Sequence, residues 1–318
     1  MKTVDLIIPV YNEEEVIEAF HSKLSTALQK LPYEFTILYV DDGSQDDIAK
    51  KLTRIAKTDK RVQVIALSRN FGHQAALTAG LDHSTGDYVI SLDCDGQHPP
   101  EMIAEMLRLA DSGYDIVLTQ RSDEGSTSAF KRWTSTLFYS LMNKIGSTKV
   151  IPGAADFRLL SRQVVQALQS MPEYHRFLRG MVAWVGFKSV ILPYTPPPRM
   201  GGKTKYSLKK MLSLSMDAVF SFSLVPLYIG ISLGVLMLAL AFLEMLYVLS
   251  FWVTGNISNL APGWSSLMFI LLLIGGFLMI SIGVIGVYIG YIFQEVKGRP
   301  IYIIREPDET VDGVHDPD

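Results

Sequence analysis

From Val4 to Thr119 the chain alternates short apolar runs with helical patterns, and this limits its fold more than any other feature. Val4–Val10, Phe35–Val40, Val62–Leu67, Tyr88–Leu92 and Asp115–Thr119 read as strands. Between them, Glu13-Glu14-Glu15 suits the positive end of a helix. Asp46 can cap a helix over roughly 47–58. Small residues mark a third helix from His73 to about His83, and Pro99-Pro100 opens a fourth that runs to about Ser112. Such alternation predicts an α/β domain with a mostly parallel sheet covered by helices on both faces. Ligands of these sheets bind beyond the carboxyl ends of the strands.

Here those ends carry Pro9, Tyr11 and Asn12, then Asp41-Asp42, then Arg69, then Asp93 and Asp95. Four polar clusters from four strands therefore converge on one rim. Two carboxylates two residues apart in extended chain project from the same face, which sends Cys94 towards the core. Asp93 and Asp95 suit a divalent cation, with Gln97 as a neutral oxygen ligand and Gly96 leaving room for a phosphate. Asp41-Asp42 offers acceptors for a base edge or ribose hydroxyls. His98 is expected at the surface, although it could approach the acidic turn. No zinc-type ligand spacing is present.

The apolar residues are unevenly spread. Of 318 residues 48% are hydrophobic and 19% charged, more apolar than an ordinary soluble protein and more charged than a purely membrane one. The excess sits in Val225–Ser250, whose one charge is Glu244, and in Trp264–Phe293, which has none. At ~1.5 Å per residue both runs exceed the ~30 Å hydrocarbon core. Lys203, Lys205, Lys209 and Lys210 precede the first run, and Lys297, Arg299 and Arg305 follow the second. The positive-inside rule then places both ends in the cytoplasm. The expected organisation is a cytosolic domain over 1–224, two transmembrane helices over 225–294 and a cytosolic tail over 295–318. A net charge of −3 gives no reason to expect nucleic-acid binding, and a single cysteine suits a reducing compartment.

The motifs Ile8-Pro9-Val10-Tyr11-Asn12-Glu13, Asp41-Asp42-Gly43-Ser44, Ser68-Arg69-Asn70-Phe71-Gly72 and Asp93-Cys94-Asp95-Gly96-Gln97 resemble family-two glycosyltransferases of the GT-A fold. Over nearly its whole length the chain resembles the polyprenyl-phosphate glycosyltransferases, including dolichol-phosphate mannose synthase and the bactoprenol glucosyl transferases. The resemblance implies that Pro9, Tyr11, Asn12, Glu13, Asp41, Asp42, Arg69, Asp93 and Arg121 hold a nucleotide-sugar donor. It implies that Asp93, Asp95 and Gln97 gather Mg²⁺ or Mn²⁺ and the diphosphate. Gly153–Arg158 is similar to the family's acceptor-side stretch, with Asp156 as base or orienting residue. Processive polysaccharide synthases carry Gln-x-x-Arg-Trp after this point; His175-Arg176-Phe177-Leu178-Arg179-Gly180 departs from it, which implies a single transfer.

Two further stretches follow from this expectation. Phe130, Trp133, Leu137, Leu141 and Ile145 share one helical face over 128–146, either as core or as a helix in the membrane interface with Lys131, Arg132 and Lys144 near headgroups. Lys131 and Arg132 are also expected, with Arg199, Lys203 and Lys205, to bind the acceptor phosphate. A second amphipathic segment is expected over 206–222. The basic loop holding Arg199, Lys203 and Lys205 is either a lipid anchor or a clamp on the acceptor phosphate. Gly275-Gly276, Gly283, Gly286 and Gly290 suit close helix packing, and the family likeness implies a homotetramer. The expected reaction moves a hexose, glucose from UDP-glucose first, onto polyprenyl phosphate at a bacterial inner membrane. Mannosyl transfer and a non-catalytic nucleotide-sugar-binding scaffold are the alternatives.

Overall fold

The computed structural model describes residues 1–122, 154–197, 225–254 and 263–305. Among these, 1–122, 154–197 and 300–305 form one compact unit, and the two long C-terminal helices form another.

The first unit is built on a seven-stranded sheet: β1 (Thr3–Val10), β2 (Glu34–Asp41), β3 (Val62–Ala66), β4 (Tyr88–Ser91), β5 (Ile116–Arg121), β6 (Ala154–Ser161) and β7 (Ser189–Tyr194). Their spatial order is β3-β2-β1-β4-β6-β5-β7. The inner strand β1 is buried from Val4 to Val10, which explains why its sequence is continuously apolar rather than alternating. Asp5 is the exception, and its carboxylate accepts the backbone N–H groups of Thr85 (2.6 Å) and Gly86 (2.8 Å). The helices are α1 (Ile17–Leu28), α2 (Ile48–Thr58), α3 (His73–His83), α4 (Ile103–Asp111), α5 (Arg162–Gln169) and α6 (Leu178–Trp184). Asp46 does accept the Ile48 N–H at the start of α2, at 3.3 Å.

α3 runs close against β1, and its small residues are the reason. A Cβ built on Gly80 would overlap the Ile7 side chain. Gly80→Ala is therefore expected to destabilise the domain by about 1–3 kcal/mol through overpacking. Thermal melts of the purified protein check this. Adding Ile7→Ala should return part of the loss, and a double-mutant cycle with no coupling would place the cost elsewhere.

β1, β2, β3 and β4 run parallel, with Val10 beside Asp41 and Asp41 beside Ala66. β6 is antiparallel to both of its neighbours, β4 and β5. Its register sets Arg158 beside Ser91, so the start of β6 extends past the end of β4. A strand entering from the ligand side thus brings Asp156 to the same rim as Asp93.

Both apolar runs are helical: α7 spans Val225–Thr254 and α8 spans Trp264–Val296. Among the described residues, one stretch, Leu273–Val296, is long and apolar enough to cross a membrane. Gly230 of α7 lies against Ser281 of α8. Among the described residues, a Cβ on Gly275, Gly276, Gly283, Gly286 or Gly290 would meet no atom within 4 Å, so the described packing against α7 does not use that stripe.

Candidate active site

The acidic turn begins after β4 ends at Ser91. Asp93 and Asp95 therefore lie in a turn, and strand alternation is not what gathers them. The Gln97 N–H donates to Asp95 Oδ1 at 2.9 Å, and Gly96 takes a φ of +82° that a glycine accommodates. The Asp93 N–H donates to Nδ1 of His98 at 2.8 Å. That nitrogen must carry a lone pair, which puts the ring proton on Nε2. His98 is buried and stacks on Phe157 with ring centroids 5.2 Å apart. The surface position expected for it is incorrect: the imidazole is the floor of the turn, and burial lowers its pKa. Cys94 points into the core, where burial pushes the thiol pKa well above its usual value.

Across the rim, Nη2 of Arg121 at the end of β5 donates to Gln97 Oε1 at 2.8 Å. Among the described residues, no group of three or more His, Cys, Asp and Glu side chains is arranged to hold a metal. Two carboxylates with one remaining lone pair on Gln97 fit Mg²⁺ or Mn²⁺, which take the rest of their ligands from phosphate and water. They do not fit a closed zinc site.

The ends of β1, β2 and β3 are stitched together. Asn12 takes a φ of +51°. Its N–H donates to Ser44 Oγ at 3.0 Å, and its Oδ1 accepts the Gln45 N–H at 2.8 Å. The Ser44 N–H donates to Asp41 Oδ1 at 2.9 Å. Asn12, Glu13, Gln45 and Asp46 line an open cleft here. The buried Asp42 carboxylate accepts the N–H groups of Phe71 (2.7 Å) and Gly72 (2.9 Å). Burial raises its pKa against the pull of those bonds. Asp42 thus shapes the loop after β3, in which the Arg69 guanidinium lies 4.1 Å from the Phe71 ring centroid.

Asp156 is buried and held by two arginines. Arg158 Nη2 donates to its Oδ1. Arg179 donates through Nε to Oδ1 at 3.1 Å and through Nη2 to Oδ2 at 2.7 Å. Burial alone would raise the Asp156 pKa, but Arg179 and Arg158 overcome it and hold the carboxyl well below the usual range. His73 Nε2 lies 3.6 Å from Asp156 Oδ2 and 3.7 Å from Asp93 Oδ1. One imidazole therefore links the acidic turn to the arginine-held carboxylate.

A family model described as glycosyl transferase family 2 matches residues 5–169. The chain belongs to glycosyl transferase family 2. It is 39% identical over 301 residues to an uncharacterised glycosyltransferase of Bacillus subtilis, covering 95% of this chain and 93% of the relative. It is 38% identical over 302 residues to a prophage bactoprenol glucosyl transferase homolog of Escherichia coli, covering 95% and 98%. It is 37% identical over 303 residues to the bactoprenol glucosyl transferase of Shigella phage SfII, covering 95% and 97%. The mostly parallel mixed sheet is GT-A-like.

Set on this family 2 domain, Pro9, Tyr11, Asn12, Glu13, Asp41, Asp42 and Arg69 fall at the ends of β1–β3, and Asp93, Asp95, Gln97 and Arg121 at the ends of β4 and β5. Lys131, Arg132, Arg199, Lys203 and Lys205 lie outside the described residues, as do the expected interface helices over 128–146 and 206–222. His73, Arg158 and Arg179 were not singled out by the sequence. The spacing of Arg158 from Asp156 was the available signal: two charges on one face of a strand need each other.

Proposed function

We propose that this protein is a membrane-attached, metal-dependent glycosyltransferase that moves a hexose, with glucose from UDP-glucose as first choice, onto a polyprenyl phosphate. What carries this reading is the pairing of the Asp93/Asp95 turn with an Asp156 that two arginines keep ionised. A general base works best with a pKa near the operating pH, and Asp156 sits far below it. A phosphate acceptor needs no base: its second pKa is near ~6, so it is largely dianionic at neutral pH. Near-full-length likeness to bactoprenol glucosyl transferases supports the same acceptor class.

Asp93 and Asp95, with Gln97, would hold a divalent cation, which when bound neutralises charge on the departing nucleoside diphosphate. Asp41 and the Asn12–Ser44 contacts shape the nucleoside pocket, and Arg69 and Arg121 add positive charge at its two sides. Asp156 orients Arg179 and His73 towards the acceptor phosphate. Arg199, Lys203 and Lys205 complete the clamp. Direct attack by the phosphate oxygen on the anomeric carbon inverts its configuration. α7 joins α8 as a second span, both termini are cytoplasmic, and the glycine stripe of α8 packs against another copy in a homotetramer.

The test uses the purified full chain, undecaprenyl phosphate, Mg²⁺ or Mn²⁺ and a panel of radiolabelled nucleotide sugars. The expected result is a labelled lipid from UDP-glucose, lost with EDTA and restored by added cation. No lipid-linked product from any donor overturns the reading.

A further inference from the structure

β3 is the outermost strand on its side of the sheet, so its free edge is open to other pairing. Residues that follow α8 cover its end. The Ser68 N–H donates to the Ile303 carbonyl at 2.8 Å, and the Arg305 N–H donates to the Ala66 carbonyl at 2.7 Å. These bonds flank an antiparallel bridge between Leu67 and Ile304. Arg305 Nη2 also reaches the Ser68 carbonyl at 3.3 Å. Tyr302 anchors the start of the segment: its hydroxyl donates to Asp82 Oδ2 at 3.1 Å, and its ring packs edge-on to His83. Part of what reads as a tail in the sequence is thus a short strap joining the end of α3 to the end of β3.

The strap sits beside residues that make the donor side. On its other side, the Leu67 N–H donates to the Asp41 carbonyl at 2.8 Å. Immediately after Ser68 comes the Arg69–Gly72 loop, whose inner face is fixed by the Asp42 carboxylate. Gly43, at a φ of +68°, lies so close that a Cβ there would come within 2.6 Å of the Asn70 nitrogen. The loop therefore has an inner support from Asp42 and Gly43 and an outer one from Tyr302–Arg305.

We propose that Tyr302–Arg305 are positioning residues for donor binding: the strap fixes the end of β3 so that the Arg69 loop is preformed for the nucleotide sugar. The inference rests on the reading of this rim as the donor site. The strap's main-chain bonds reach Ala66 and Ser68, next to the Arg69 loop, whereas Tyr302 reaches α3 only at Asp82 and His83, the end opposite His73. It should therefore affect donor binding and leave acceptor binding alone.

The experiment compares Arg305→Pro, which removes the N–H that bonds Ala66, with Arg305→Ala, which keeps it. Arg305→Pro is expected to raise the donor KM about three- to tenfold, the size of one lost backbone bond. The acceptor KM and kcat should change by less than about twofold, and hydrogen exchange should quicken at Ser68, Phe71 and Gly72. Arg305→Ala should leave exchange at Phe71 and Gly72 near the parent. A donor KM unchanged in Arg305→Pro, with exchange showing the strap released, overturns the proposal. So does a parallel rise in both KM values, which marks a merely structural role. Should the parent transfer no sugar at all, the donor reading fails separately. UDP affinity and exchange at 66–72 then decide the strap: no change in either overturns it.

Discussion

An Asp95→Ala protein is expected to lose hexose transfer by about 10³-fold or more while still folding and inserting. The side chain has two jobs. Its charge is half of the carboxylate pair available to a cation, and its Oδ1 accepts the Gln97 N–H that closes the turn. Alanine removes both, so the informative companion is Asp95→Asn, which keeps an oxygen for the Gln97 N–H but carries no charge. Both variants should be nearly inactive under the proposed function, and Asp95→Asn should melt at the parent temperature because the turn keeps its internal bond. Mn²⁺ binding followed by electron paramagnetic resonance should weaken in each. The rate in Asp95→Asn is the deciding measurement: retention of more than about a tenth of parent turnover would mean that the charge is not needed, and this turn would leave the mechanism.

What the sequence made legible is what local pattern can encode. β1, β2, β3 and β4 match their apolar runs to within a residue or two, and α3 runs from His73 to His83 as read. Pro99-Pro100 does start a helical segment, first as a single 3-10 turn over Pro100–Met102 and then as α4. β6 was not legible as a strand, because Asp156 and Arg158 interrupt its apolar run. Their cost is met only when β6 inserts between β4 and β5 and Arg179 arrives from α6. His73 looks like any residue opening a helix; only the register that sets β6 beside β4 gives it two carboxylates. His98 was misplaced for a similar reason. A histidine before two prolines reads as surface turn, yet the turn folds back and uses its Nδ1 as an acceptor. The Tyr302–Arg305 strap pairs with a strand more than two hundred positions earlier, a contact that no local periodicity records.

The Asp156→Asn protein is expected to be less stable than the parent by about 3–5 kcal/mol, because the buried Arg158 keeps its charge and loses its counter-ion. The pH dependence gives the sharper test. The folded pKa of Asp156 is depressed, so its contribution is fully present above the unfolded value near ~3.9 and is lost as pH falls through the folded value. The Asp156 part of the gap in urea midpoint between parent and variant should therefore not close between about pH 8 and pH 5. The gap should instead widen as pH falls through ~6.5. Burial alone would lower the His73 pKa, but Asp93 and Asp156 raise it, and the variant loses the Asp156 share of that stabilisation. A gap that closes inside that window places the titration of Asp156 there, against the grip of Arg158 and Arg179. Activity should behave differently. If the acceptor supplies its own dianion, kcat/KM for the lipid rises with pH through ~6. That limb belongs to the substrate, so a phosphonate analogue with a less acidic second proton should move it upward. A catalytic base would instead leave the limb where it is when the acceptor is exchanged. Under the proposed function, the two carboxyl-bearing halves of the rim should therefore answer to different variables: variants of the Asp95 turn to cation concentration, and variants of the Asp156 fork to the ionisation of the incoming phosphate.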